Sequence, residues 1–140
     1  MIILDSDVIS ALMARHPVVK LWADGYVPQE LWTTSVVAYE VRRGIALLPM
    51  GEKQRDLDRA FKDIFDRVLA GRILPFDSRA AYETALLSAE RTQRGLYIGL
   101  ADTMIAGIAI AHGADVATGN VKDFRDLGAR VINPWDASSG

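Results

Sequence analysis

Apolar positions along the chain fall into short uninterrupted runs separated by helical stripes, and this alternation predicts the order of elements. IILD (2–5) is apolar up to its last residue, the pattern of a short buried strand. A helix is expected from about residue 7 to 13. A second is expected from Pro17, a residue favoured in a first helical turn, with Leu21 and Trp22 turned inward. Residues 31–33 read as a second strand. SVVAYEVRRGIALL reads as a helix with Thr34 or Ser35 as its N-cap. After Gly51, the residues Leu57, Phe61, Ile64, Phe65, Val68 and Leu69 recur at helical spacing, with charges on the other face. RILPF predicts a third strand, and Ser78 is the expected cap of a long helix to about Gly95. Residues 101–111 form a small-residue apolar helix stopped by Gly113. DVAT (115–118) is a fourth strand, ARVINPW a fifth closed by Pro134, and ASSG a loose tail.

Strands alternating with helices predict an α/β fold, a three-layer α/β/α sandwich with a mainly parallel central sheet. The expected organisation is a single domain over residues 1–136 and a flexible tail over 137–140. Ligands of such sheets bind beyond the carboxyl ends of the strands. Chemistry is therefore expected near Asp5, after the first strand, and Thr118, at the end of the fourth.

Composition narrows the classes. Of 140 residues, 50% are hydrophobic and 24% charged, which calls for a folded core and argues against bulk disorder. The absence of cysteine removes disulfides and thiolate metal sites and suits a reducing cytoplasm. No apolar run is long enough to span a bilayer, and no secretion signal is evident at the N-terminus. The net charge of −2 decides nothing about nucleic acid, because a local basic patch suffices for binding.

Three acids stand where a carboxylate is costly. Asp5 ends an apolar strand. Glu40 shares a helical stripe with Val36, Val37, Val41 and Gly44, and Asp102 opens an otherwise apolar helix. Each has an ordinary alternative: a turn or cap for Asp5, an ion pair with Arg42 or Arg43 for Glu40, a helix-dipole contact for Asp102. Together they suit a hard cation such as Mg²⁺ or Mn²⁺ held by oxygen ligands. His16, in an expected loop, and His112, beside Gly113, have no partner at metal-ligand spacing.

An apolar run ending in Asp5-Ser6-Asp7 opens two groups of enzymes. One is the haloacid-dehalogenase-type phosphatases, whose first Asp is a nucleophile, and the other is a group of metal-dependent nucleases. Val8 and Ile9 fit the phosphatase pattern poorly, Lys122 and Asp123 imitate its later residues poorly, and Glu40 has no role in that mechanism. MIILDSDVIS, SVVAYEVRRGI, GRILPFD, LADTMIAGIAIAHGADVATGNVKDF and INPW, in this order, resemble a PIN-domain ribonuclease of the VapC type, the toxin of a bacterial toxin–antitoxin pair, in its FitB-like branch. The resemblance implies that Asp5, Glu40 and Asp102 are metal ligands and that Asn120 stands where many members carry a fourth acid. It also implies that Ser6 and Thr118 orient the carboxylates. Asp7 replaces a usual Asn and is expected to cap a helix, and Asp123 to sit in a first helical turn. The implied reaction is Mg²⁺- or Mn²⁺-dependent endoribonucleolytic hydrolysis in the cytoplasm, with transfer or ribosomal RNA as family substrates. The implied partners are a second copy of the chain and a small DNA-binding antitoxin of the VapB type. The antitoxin's tail would lie in an apolar groove for which Val18, Leu21 and Trp22 are candidates. Arg42, Arg43, Lys122 and Arg125 are candidates for holding RNA phosphates. The alternative reading is a catalytically weak PIN-fold module that acts with its antitoxin as a co-repressor.

Overall fold

The computed structural model describes residues 1–136, so the expected tail over 137–140 lies outside the described residues. Five strands form one sheet: β1 (Ile2–Leu4), β2 (Leu31–Thr34), β3 (Ile73–Leu74), β4 (Asp115–Ala117) and β5 (Val131–Ile132). Their order is β3-β2-β1-β4-β5, and every neighbouring pair is parallel. The helices are α1 (Ser6–Met13), α2 (Pro17–Asp24), α3 (Ser35–Ala46), α4 (Glu52–Lys62), α5 (Ser78–Gln93), α6 (Leu100–His112) and α7 (Val121–Asp126). The expected three-layer α/β/α sandwich is what forms. β1 has no exposed face, with Ile3 and Leu4 fully buried, and this is why its sequence has no polar alternation.

The order of connections positions the site. From β1 the chain steps outward through β2 to β3, and from β4 it steps the other way to β5. Right-handed crossovers then put α1–α4 on one face and α5–α7 on the other. The packing agrees: α1 lies against α2, α3 and α4, while α6 lies against α5 and α7. The reversal of direction falls between β1 and β4, where a crevice opens at the carboxyl ends of the strands. Asp5 follows β1 and Thr118 follows β4, so both stand at its mouth.

Three details depart from the expected pattern. Leu21 is 70% exposed, and Val19 is the inward residue of α2 together with Trp22. The spacing explains it: positions 19 and 22 share a helical face, and position 21 points away. The stripe beyond Gly51 does not remain α-helical. Over Asp63–Val68 the chain widens into a π-turn, in which the Leu69 N–H donates to the Ile64 carbonyl. The inserted residue shifts the phase of the stripe, so Leu69 stays fully buried while Val68 turns outward. Phe61, near the end of α4, stacks on Phe65 of this bend, ring centroids 4.0 Å apart. Finally, the cap of α5 is Asp77, whose side chain accepts from the Ala80 N–H at 2.9 Å, one residue before the expected Ser78.

α6 is buried nearly all round, as its small apolar residues predict, and it ends at Gly113 in the left-handed region (φ 62°). It lies close against α5 because Gly107 has no side chain. A Cβ there would stand 1.9 Å from Thr84 Oγ1 and 3.0 Å from the Ala80 carbonyl oxygen. Thr84 cannot yield freely, since its hydroxyl donates to that same carbonyl at 2.7 Å. Gly107→Ala is expected to push the two helices apart and lose about 2 kcal/mol or more. Denaturant titration checks this, and an unchanged midpoint would show that the contact adjusts.

Candidate metal centre and its acids

Asp5 is held by backbone and side chain together. Its N–H donates to the Ala117 carbonyl of β4 at 3.0 Å, and its own carbonyl accepts from Ile9 in the first turn of α1. Asp5 is the N-cap of α1, so the helix starts at Ser6, one residue earlier than expected. Its Oδ1 accepts from the Ser6 N–H at 2.8 Å and its Oδ2 from the Thr118 hydroxyl at 2.7 Å. The residue is only 4% exposed. Burial pushes its pKa up to about 7, and Asp7 and Asp102 push the same way against those two hydrogen bonds.

Glu40 reaches the site from α3. Thr34 sets where that helix begins, its hydroxyl accepting from the Val37 N–H at 3.1 Å. From that start Val36, Val37, Val41 and Ile45 face the core, and Glu40 shares the edge of their stripe, as its spacing predicts. Burial raises its pKa, Asp102 raises it further, and the Ser6 hydroxyl opposes both. Glu40 Oε1 is buried and has no hydrogen-bond partner among the described residues. An orphaned carboxylate oxygen inside a protein is costly, and a cation is the natural partner for it.

Asp102 stands in the first turn of α6, which Gly99 starts without any side-chain cap. Its pKa is raised by burial and by Asp123 and Asp7, against a hydrogen bond from Asn120. That bond is the feature the sequence hid. Asn120 occupies the cap position of α7, but its side chain makes no capping bond. Its Nδ2 instead donates to Asp102 Oδ2 at 3.0 Å and to Asp123 Oδ2 at 3.2 Å. With carboxylates on both sides, the amide must present its nitrogen to them. Asn120 thus links two acids that would otherwise repel, and Asp123 stands in the first turn of α7 as expected.

Asp7 does not cap α1, since Asp5 takes that place. Its Oδ1 accepts from the Val8 N–H and its Oδ2 from the Gly119 N–H, both at 2.8 Å. It ties the start of α1 to the loop after β4. Gly119 is a site residue that the sequence reading missed. A Cβ there would lie 3.0 Å from Asp7 Oδ2 and 3.2 Å from the Trp135 ring, so a side chain would make one of them give by a few tenths of an ångström. The pair GN after DVAT was its only sign. Thr118 has two functions: beyond holding Asp5, its oxygen accepts from the Asn120 N–H at 3.0 Å.

The four basic candidates divide. Arg42 faces α4, paired with Asp58 at 2.5 Å and stacked 4.0 Å over the Phe61 ring. Of the four it is the one that already pairs with a neighbouring helix, its side chain still half-exposed. Arg43, Lys122 and Arg125 are exposed. Beside the acids opens a cleft of about 530 Å³, lined in part by Ser6, Asp7, Ser10, Glu40, Gly44 and Leu57. Of the expected groove residues, Trp22 is core, Val18 is half-buried and Leu21 faces outward. His16 caps α2 through Nδ1, 3.5 Å from the Val19 N–H, and stands edge-on to Trp135.

Asp5, Glu40 and Asp102 therefore come together with Asp7, Asp123 and Asn120 at the crevice. Burial is the largest cause of all three raised pKa values, and neighbouring carboxylates add to it. Among the described residues, no three His, Asp or Glu side chains already converge in metal-binding geometry. The donors are all hard oxygens, one of them is orphaned, and the carboxylates repel. That set fits a divalent hard cation.

Comparison with known proteins places the chain. The family model for the PIN domain matches residues 2–129. The chain is 37% identical to the VapC ribonuclease Y4jK of Sinorhizobium fredii, over 97% of its own length and 99% of the relative's. It is 33% identical to Toxin FitB of Neisseria gonorrhoeae, over 96% and 99%. A structure of FitAB bound to an IR36 DNA fragment superposes with a TM-score of 0.86 at 34% identity, covering 96% of each chain. The phosphatase alternative is thereby set aside, and the chain belongs to the PIN-domain family.

Proposed function

We propose that this chain is a metal-dependent endoribonuclease and the toxin of a type II toxin–antitoxin pair. The observation that supports this most is the acid cluster at the switch between β1 and β4, with the orphaned Glu40 Oε1 and an Asp5 whose pKa is pushed up to about 7. The kinship to a VapC ribonuclease and to Toxin FitB agrees with it.

Asp5, Glu40 and Asp102 hold Mg²⁺ or Mn²⁺ in this reading. The bound ion supplies positive charge for the phosphate and acidifies a water. The chain's own residues prepare the rest. The Ser6 N–H and the Thr118 hydroxyl fix both oxygens of Asp5, and Asn120 fixes Asp102. Arg43, Lys122 and Arg125 draw the RNA backbone towards the crevice. Hydrolysis adds the water oxygen to phosphorus, breaks one P–O ester bond, and passes the proton to the leaving oxygen. Asn120 stands where many members carry an acid, and its neutral amide, donating to Asp102, would give a second ion less charge than a carboxylate there.

The chain acts in the cytoplasm, where RNA is available, and no described helix is long and apolar enough to cross a membrane. A small DNA-binding antitoxin of the VapB type is its partner, in line with the FitAB–DNA structure. Its tail occupies the cleft beside Glu40, and the chain forms a homodimer. The experiment is digestion of a mixed RNA pool by antitoxin-free protein with Mg²⁺, with Mn²⁺ and with EDTA. Cutting in either metal and none in EDTA is expected. Folded protein that cuts under no condition would favour the second reading, a co-repressor module with weak catalysis, which the neutral Asn120 supports.

Asn120 offers its own test. Asn120→Asp replaces two hydrogen bonds with a third negative charge between Asp102 and Asp123. In EDTA at pH 8 the variant is expected to lose about 1 kcal/mol or more and to regain it in Mg²⁺. Thermal unfolding in the two buffers reads this, and equal stability of variant and parent in EDTA would show that the amide link carries no energy.

A further inference from the structure

Arg91 is the buried charge that the acid cluster leaves unexplained. It lies near the end of α5, its side chain 9% exposed. Its Nη1 stands 3.0 Å from Glu90 Oε1 but is not aligned to donate, and neither Nη1 nor Nε has a hydrogen-bond acceptor among the described residues. A guanidinium with two unmade hydrogen bonds under the surface is expensive, and the fold retains it. Arg91 lines a pocket of about 180 Å³ with Ser88, Thr92, Tyr97, Leu100 and Thr103. The first turn of α6 forms one wall, and no side chain caps it, so its leading N–H groups add positive potential. Those features describe an anion pocket. Thr103 follows Asp102 in that same turn, so the pocket and the acid cluster share one helix start.

Beside the pocket Tyr97 is 92% exposed. A buried cation next to an exposed aromatic ring is the combination that holds single-stranded nucleic acid, phosphate on the charge and base on the ring. We propose that this pocket is a single-stranded RNA subsite: Arg91 takes a backbone phosphate away from the scissile bond, and Tyr97 stacks on the adjoining base. The subsite rests on the ribonuclease reading, since it serves the same substrate. Glu90, already near Arg91 and Arg94, is the group that the phosphate displaces from Arg91.

The test uses the full chain and four variants: Arg91→Met, Arg91→Lys, Tyr97→Ala and Tyr97→Phe. Cleavage of a fluorescent single-stranded RNA in Mg²⁺ gives KM and kcat, and anisotropy in EDTA across a salt series gives binding. Arg91→Met is expected to raise KM about tenfold with kcat within about twofold, and to lower the slope of log K against log salt by about 0.7. Its thermal midpoint is expected to change little, because the pair with Glu90 is lost together with two buried N–H groups that have no acceptor. Tyr97→Ala is expected to weaken binding about tenfold with no change in slope, and Tyr97→Phe to restore it. Tyr97 is exposed, so its variants fold regardless of how Arg91→Met behaves, and Arg91→Lys keeps the charge but loses the fork. Wild-type KM and slope in both Arg91→Met and Tyr97→Ala would overturn the subsite while leaving the nuclease intact. Inorganic phosphate that raises the midpoint of the parent but not of Arg91→Met, with RNA binding unchanged, would make the pocket a free-phosphate site and equally overturn it. A parent chain that neither binds nor cuts RNA would sink the ribonuclease reading and the subsite with it.

Discussion

Asp5→Asn is expected to reduce RNA cleavage by about a thousandfold or more while making the metal-free protein harder to unfold at pH 8. These opposite effects follow from one cause. Asp5 is almost wholly buried, its pKa is about 7, and at pH 8 it carries a charge that the protein interior disfavours. The amide has the same shape without the charge. Its oxygen still accepts from the Ser6 N–H, and the Thr118 hydroxyl can turn to accept from its nitrogen. A stabilisation of about 2 kcal/mol or more in EDTA is expected, read by thermal unfolding beside the cleavage assay. A carboxylate kept for packing would give the reverse, a loss of stability with activity following it. A variant that is more stable and inactive identifies a residue kept for chemistry.

The second large effect is a fall in metal-free stability as pH rises. An acid whose pKa is raised in the folded state keeps its proton there after the unfolded chain has lost its own. Between the ordinary value of 3.8 and about 7, Asp5 is protonated in the folded chain and ionised in the unfolded one, so stability falls with pH through that window. Its share below the window is fully present, and above pH 7 it is lost. Glu40 and Asp102, also raised, act in the same direction. Between pH 5 and pH 8 in EDTA the loss from Asp5 alone is about 3 kcal/mol, or a midpoint lower by roughly 10 °C. Mg²⁺ should return most of it at pH 8 and little at pH 5, because protons compete with the ion for the same oxygens. Melting curves at the two pH values with and without Mg²⁺ decide this. A midpoint equal at both pH values in EDTA would mean that the acids are solvated and not clustered.

The elements that were legible in the sequence are those whose pattern has one physical reading. β1 is apolar because both its faces are buried, and α6 is made of small residues because it is enclosed and lies close against α5. Glu40 stood out because helical spacing put it beside Val37 and Val41. Features that depend on a change of phase or on rotamers were hidden. The π-turn adds a residue to a stripe that reads as regular, and this turns Val68 outward. Asn120 and Arg42 carry the expected residue types, but their side chains turn to partners distant in sequence, Asp102 for one and Asp58 for the other. Arg91 reads as part of a charged helix surface beside Glu90 and Arg94. Only the fold places it inside.

Whether Asp5 holds a catalytic ion is decided by a Mn²⁺ titration followed by electron paramagnetic resonance, on the parent chain and on Asp5→Asn, with RNA cutting recorded at each occupancy. Saturable binding of one ion to the parent, cleavage that rises with occupancy, and loss of both in the variant are expected. Undiminished Mn²⁺ binding in Asp5→Asn, or cutting that proceeds at the same rate with no ion bound, would contradict a catalytic ion at Asp5.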